Sequence, residues 1–111
     1  MLNHHRLHCY RLTLELARTV PALLNTWPKG SSDLADQFKR ALSSVLLNIA
    51  EGNGRMSPKD RRRFFAMARG SASEVGAIID IAEVYGLIPS ETTFKWQDSI
   101  LQIVRMVSKL P

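Results

Sequence analysis

Apolar side chains recur along the chain at intervals of three and four residues, and no stretch alternates with a period of two, so the pattern predicts helices and no strand. A first helix is expected over about residues 7–25, with Tyr10, Leu14, Ala17 and Leu24 on its inner face. Pro21 falls inside that span; it lacks a backbone donor and its ring crowds the preceding turn, which predicts a kink or an early end. Trp27-Pro28-Lys29-Gly30-Ser31-Ser32 reads as a connector. The second helix is expected over 33–51, capped by Ser32, with Asp33 and Asp36 in its first turn and Leu34, Phe38, Ala41, Leu42, Val45 and Ile49 turned inward. Gly52 and Gly54 then read as a stop and a turn.

The third helix carries the clearest start signal: Ser57 as cap, Pro58 at the first helical position and Asp60 at the third. It is expected over 58–85, ending at Gly86, about 28 residues or roughly 42 Å long. Pro89 and Ser90 lead into a fourth helix over 91–110, with Trp96, Ile100, Ile103, Val107 and Leu110 as its stripe. Four helices joined by short turns predict an all-α, antiparallel up-down-up-down four-helix bundle, one domain over residues 1–111.

A bundle helix needs one apolar face, and the third helix has two. At about 100° per residue, Phe64, Met67, Ala68, Ser71, Val75, Ile78, Ile79 and Ala82 gather on one side as the core. Ala66, Gly70, Ser73, Ala77, Ile81 and Val84 form a second row without a charged member. In the first helix Leu12, Leu16 and Leu23 lie away from the inner face, and in the second Leu47 lies opposite Phe38. Contiguous apolar rows of this kind mark interfaces, so a homo-oligomer is expected to cover them.

Composition adds little until charge is placed along the chain. Hydrophobic residues are 45% and charged residues 23% of the 111, an ordinary globular balance, and the single Cys9 excludes an intramolecular disulfide. The first residues have no apolar segment of a signal peptide and no run reaches the roughly 20 residues of a membrane span, so a cytoplasmic protein without membrane association is expected. Net charge is +5, yet Lys39, Arg40, Arg55, Lys59, Arg61, Arg62, Arg63 and Arg69 against Glu51 and Asp60 place +6 in one stretch. A localised basic field attracts RNA and DNA; the competing reading is a solvated surface that keeps the protein in solution.

Catalytic and metal constellations fare worse. His4 and His8 are four apart, a metal-site spacing on a helix, but no complementary ligand set accompanies them and Cys9. Gly52-Asn53-Gly54-Arg55 lacks the lysine, hydroxyl and preceding strand of a phosphate loop, although it opens onto the N-terminus of the third helix. Glu51 and Glu74 could pair on neighbouring helices, but the Glu-x-x-His motif of di-iron bundles is absent. No enzyme activity, metal or cofactor is expected.

Asn48-Ile49-Ala50-Glu51-Gly52, Gly54-Arg55, Ser57, Ala68-Arg69-Gly70-Ser71 and Glu74, with Gln37, Arg40, Ala41, Ser44 and Val45 upstream and Tyr85-Gly86-Leu87-Ile88 downstream, resemble the four-helix bundle family encoded in intervening sequences of bacterial 23S ribosomal RNA genes, often labelled S23 ribosomal protein. The resemblance implies a homopentameric ring and a likeness to the accessory variability protein of diversity-generating retroelements, a basic pentamer that engages a reverse transcriptase and nucleic acid. It marks Asn48, Glu51, Gly52, Gly54, Arg55, Arg69, Ser71 and Glu74 as motif positions, and Glu51 and Glu74 are expected to pair with Arg69 and Arg55 at the corner between the second and third helices. Two departures stand out: Leu46 replaces a common proline, which predicts a straighter second helix, and Ser32-Asp33 replaces an aromatic–glycine pair before Leu34.

Two functional readings follow. One is a homo-oligomer that holds RNA or DNA electrostatically through the basic cluster, with little base reading. The other is a scaffold for a partner protein, with no nucleic-acid role.

Overall fold

The computed structural model describes residues 2–111. Four helices, α1 (His8–Leu24), α2 (Ser32–Gly54), α3 (Pro58–Val84) and α4 (Ser90–Ser108), run alternately up and down, each packed on its sequence neighbours and α1 on α4. Short 3-10 turns at Asn3–Arg6 and Lys29–Ser31 precede α1 and α2. The bundle is 44 Å long and 24 × 23 Å across, and no strand occurs among the described residues.

The element ends follow local chemistry. Ser57 Oγ accepts from the Asp60 amide at 3.4 Å and Pro58 opens α3. At the other end, Gly86 adopts φ +71° while the Leu87 amide reaches Ala82 O at 2.8 Å and the Gly86 amide reaches Glu83 O at 2.9 Å, a Schellman closure. The expected start of α2 shifts. Ser31, not Ser32, stands at the cap of α2, and its side chain makes no capping bond because the preceding 3-10 turn feeds directly into the helix. Helix α1 runs through Pro21 to Leu24, within a residue of the expected end, so of the two expected effects of Pro21 the early end is excluded, and the Asn25 amide still reaches Pro21 O at 3.0 Å.

Gly52 and Gly54 are likewise helical, and the turn is instead made by Arg55, Met56 and Ser57. The reason at Gly52 is packing. A Cβ there would lie 2.6 Å from Phe65 Cε1 and 3.1 Å from Phe64 Cβ, so the glycine lets α2 and α3 close on the Phe65 ring.

The core is one cluster built from all four helices. Phe38, Val45, Ile49, Val75, Ile79 and Ile103 are its most deeply buried large members, and Trp27, Phe38 and Trp96 form an aromatic chain with centroids 6.3 and 5.4 Å apart. In α1 the inner row is Cys9, Thr13, Leu16, Val20 and Leu24, displaced from the expected Tyr10–Leu14–Ala17 face. Thr13 sits at the centre of that row because its hydroxyl donates to Cys9 O at 2.7 Å, which satisfies it without leaving the core. In α3 Phe65 and Ala72 belong to the core, whereas Met67 is exposed and Phe64 and Ser71 are half-buried. Burial pushes the Cys9 thiol above its usual value.

Candidate nucleic-acid interface

Antiparallel packing brings the C-termini of α2 and α4 to the same end as the N-termini of α1 and α3. That end carries Arg55, Lys59, Arg61, Arg62 and Arg63 from the expected cluster. Arg6 and Arg11 from the start of the chain and Arg105 and Lys109 from its close join them there. Nine positive side chains therefore face two acidic ones, Glu51 and Asp60, a net +7 in a chain whose total is +5. His4, His5 and His8 stand at the same end. The opposite end holds Asp33, Asp36, Asp80, Glu83 and Glu91 against Arg18, Lys29, Lys39, Arg40 and Lys95, a net charge of zero.

Lys39 and Arg40 thus do not belong to the patch that sequence proximity suggested. Fifteen residues of continuous helix separate Arg40 from Arg55, about 22 Å along the axis. Arg69 lies mid-bundle, beside Arg62 in a groove between α3 and α4 closed by Phe65, Val107 and Leu110. The missing members, Arg6, Arg11, Arg105 and Lys109, were readable only by folding the helix order into an antiparallel bundle and asking which termini coincide.

The cationic side chains at the basic end differ in freedom. Arg61 is committed to structure: its guanidinium donates to Asn53 O at 3.1 Å, Arg55 O at 3.2 Å and Pro111 O at 3.3 Å, and lies 5.6 Å from the Phe65 ring centroid. Arg55 and Arg63 both stack on Phe64, at 4.8 and 4.5 Å from its centroid. Arg55 also pairs with Glu51 at 3.0 Å, and Arg63 with Asp60 at 3.8 Å, both solvent-accessible pairs between residues four and three apart in sequence. Lys59 and Arg62 are exposed and make no ion pair among the described residues.

The motif residues hold the α2–α3 seam differently from expectation. Glu74 and Arg69 are exposed and enter no ion pair among the described residues; Arg69 instead offers its carbonyl to Ser73 Oγ at 3.1 Å. The polar link between the helices is Ser44 Oγ to Ser71 Oγ at 2.7 Å, extended by Asn48 Nδ2, which donates to Ser44 O at 2.8 Å and Ser44 Oγ at 3.0 Å. Two short hydroxyls and an amide satisfy one another where a long ion pair would have to be desolvated.

The second row of α3 lies on the solvent side of the single chain. Ala66, Gly70, Ser73, Ala77, Ile81 and Val84 are all exposed, Val84 by 81% and Ile81 by 39%. Leu47 is 66% exposed on α2. Leu12 and Leu23 are half-buried against the core, and Leu16 leaves the interface set altogether: at 5% exposure it belongs to the inner row of α1. Exposed apolar residues outside the expected set include Met56, Tyr85, Phe94 and Leu101. Phe94 and Leu101 share a face of α4 with Gln97, which donates to Gly76 O at 2.9 Å and Asp80 Oδ1 at 2.8 Å, so they flank α3 on its outer side.

The histidines do not assemble a metal site as spaced. His4 belongs to the 3-10 turn and His8 begins α1 after an extended Leu7, so they share no helix face. Among the described residues no three His, Cys, Asp or Glu side chains gather to hold an ion. No helix among them is long and apolar enough to cross a membrane.

A small antiparallel four-helix bundle with its positive charge gathered at one end is the class these features define. Within it, the chain belongs to the 23S rRNA-intervening sequence protein family, whose model matches residues 5–109. Its backbone is similar to the crystal structure of a protein of unknown function from the S23 ribosomal protein family of Bacteroides thetaiotaomicron, with a TM-score of 0.81 at 18% identity over 90% of this chain and 91% of that one. No curated protein matches the chain.

Proposed function

We propose that this chain is a non-enzymatic homo-oligomer, a five-membered ring as the family resemblance implies, that holds RNA or DNA electrostatically at the basic end of each bundle. The observation that carries this reading is the segregation of charge, net +7 at one end and zero at the other. Lys59 and Arg62, exposed and without an ion pair among the described residues, would supply the first phosphate contacts, and Arg63, Arg6, Arg11, Arg55, Arg105 and Lys109 would extend them. The exposed apolar row of α3, widened by Phe94 and Leu101, supports self-association through a helix face in which glycine, alanine and serine permit close approach.

The test is charge reversal that spares Arg61, because removing that side chain would free two backbone oxygens at the α2–α3 corner and that of Pro111, and so confuse folding with binding. Lys59→Glu, Arg62→Glu and Arg63→Glu together should abolish binding of a short RNA at low salt while circular dichroism and light-scattering mass stay unchanged. In the unmodified protein, affinity should fall with salt, each phosphate contact contributing about 0.7 to 0.9 to the logarithmic slope. Retained affinity in the triple variant would refute the mapping. A monomer by light scattering, or an Ala77→Arg variant as oligomeric as the parent, would refute the interface.

A further inference from the structure

The basic end contains, besides charge, a shallow groove of about 380 Å³ lined by His4, Leu47, Ala50, Glu51, Gly54 and Arg55. Its walls are two flat groups, an imidazole and a guanidinium. Its floor is the outer face of α2, where Ala50 and Gly54 are small and a Cβ at Gly54 would meet nothing within 4 Å. Leu47, two-thirds exposed, closes one side.

The imidazole wall is held in place. The His4 ring centroid lies 4.4 Å from that of His5 and 4.7 Å from that of Tyr10, with His5 and Tyr10 themselves 5.7 Å apart and edge-on. His5 Nδ1 contacts Leu2 O at 3.2 Å, and Arg11 donates to His5 O at 3.0 Å, so the aromatic trio is tied to both the 3-10 turn and α1. The opposite wall is also ordered, since Arg55 is pinned between the Glu51 carboxylate and the Phe64 ring. Electrostatics alone needs neither arrangement.

We propose that the groove between His4 and Arg55 is a stacking slot for one unpaired nucleobase, which makes single-stranded nucleic acid the preferred ligand of the basic end. The inference rests on the electrostatic reading above and adds to it the strandedness of the ligand. A base inserted over Ala50 and Gly54 stacks on His4, while its flanking phosphates meet the field of the surrounding arginines. Charge complementarity favours this occupant over an apolar protein segment, because the groove opens within a net +7 surface. Glu51 is offset as a source of repulsion, because its Oε2 accepts from Arg55 at 3.0 Å. A duplex cannot use the slot, because its bases are already stacked and paired.

The experiment compares fluorescence-anisotropy affinities of the full chain for a short labelled RNA strand, its duplex, and an abasic strand of equal length, at one low salt concentration. The unmodified protein should prefer the base-bearing strand. His4→Ala should weaken that complex about tenfold, within the range for loss of one stacked base, and leave duplex and abasic affinities unchanged. His4→Phe should restore it, since the benzene ring keeps a flat stacking surface. Equal weakening of all three ligands by His4→Ala, or failure of His4→Phe to restore binding, would overturn the stacking slot while leaving the electrostatic reading standing. No binding to any of the three would overturn both.

Discussion

Gly52→Ala isolates what holds α2 against α3. The added methyl would lie 2.6 and 2.7 Å from Phe65 Cε1 and Cδ1 and 3.1 Å from Phe64 Cβ. Ordinary contact begins near 3.4 Å, so the ring must retreat by roughly 0.8 Å. It has little room, since Phe65 is buried and Arg61, tied to Asn53 O and Arg55 O, lies over its face. Phe64 Cβ is fixed to the α3 backbone itself, so relief there requires the helices to part. Overpacking of this kind costs about 1–3 kcal/mol, against a gain of up to about 1 kcal/mol from replacing a helical glycine by alanine. The net expectation is destabilisation by about 1–2 kcal/mol.

Urea unfolding followed by circular dichroism at fixed protein concentration measures it, concentration being held because any oligomer couples assembly to stability. Gly30→Ala is the control: nothing lies within 4 Å of its Cβ position, so it should be neutral or slightly stabilising. In a double-mutant cycle Phe65→Leu should cost less in the Gly52→Ala background than alone. A Gly52→Ala protein as stable as its parent would refute the close-approach explanation and return the glycine to the role of a helix stop.

Two further outcomes follow from single positions. Gly86→Ala should cost about 1 kcal/mol in the same unfolding assay, because the Schellman closure of α3 holds this residue at φ +71°, where a Cβ is strained. Cys9 should resist a thiol reagent such as Ellman's reagent in the native protein and react fully once unfolded. Its raised native pKa means the folded state keeps a proton that the unfolded state releases, so its contribution to stability should be intact below the ordinary thiol range near about pH 8.5 and decline as pH rises through it.

Helix number, order and bundle class were legible because the three-and-four spacing is strong over long segments and the signals at Ser57-Pro58 and Gly86 are unambiguous. The rotation of α1 was not. Its true inner row contains Cys9 and Thr13, and a reader scoring hydrophobicity passes over a threonine whose hydroxyl the helix itself satisfies. Neighbouring Phe64 and Phe65 could not be ranked by periodicity either; the space left by Gly52, a tertiary fact, chooses Phe65 for the core and leaves Phe64 to the guanidinium groups. The motif's polar residues were visible and Glu51 does pair with Arg55, but Glu74 and Arg69 form no ion pair among the described residues. Charge suggested long ion pairs, whereas the seam uses the Ser44–Ser71 contact and Asn48. Lys39 and Arg40 were grouped with Arg55 by position in the chain, a grouping that a continuous α2 undoes.

The charge separation along the bundle is a property of side chains and not of the helices as such. In an antiparallel four-helix bundle the macrodipoles oppose one another: the basic end joins two helix N-termini, each equivalent to about half a positive charge, with two C-termini of opposite sign, and their fields largely cancel at a distance. What survives is the side-chain imbalance of +7 against zero. No single segment produces it. Arg6 and Arg11, Arg55, Lys59 to Arg63, and Arg105 and Lys109 come from all four helices or the turns beside them, and the alternating direction of the chain delivers them to one face. Their mutual repulsion works against folding, and the structure relieves little of it there, using two exposed carboxylate pairs and the stacking of guanidinium groups on Phe64 and Phe65. A polyanion laid across that end would remove the repulsion, so bound nucleic acid should raise the unfolding midpoint at low salt and lose that effect as counterions screen the face.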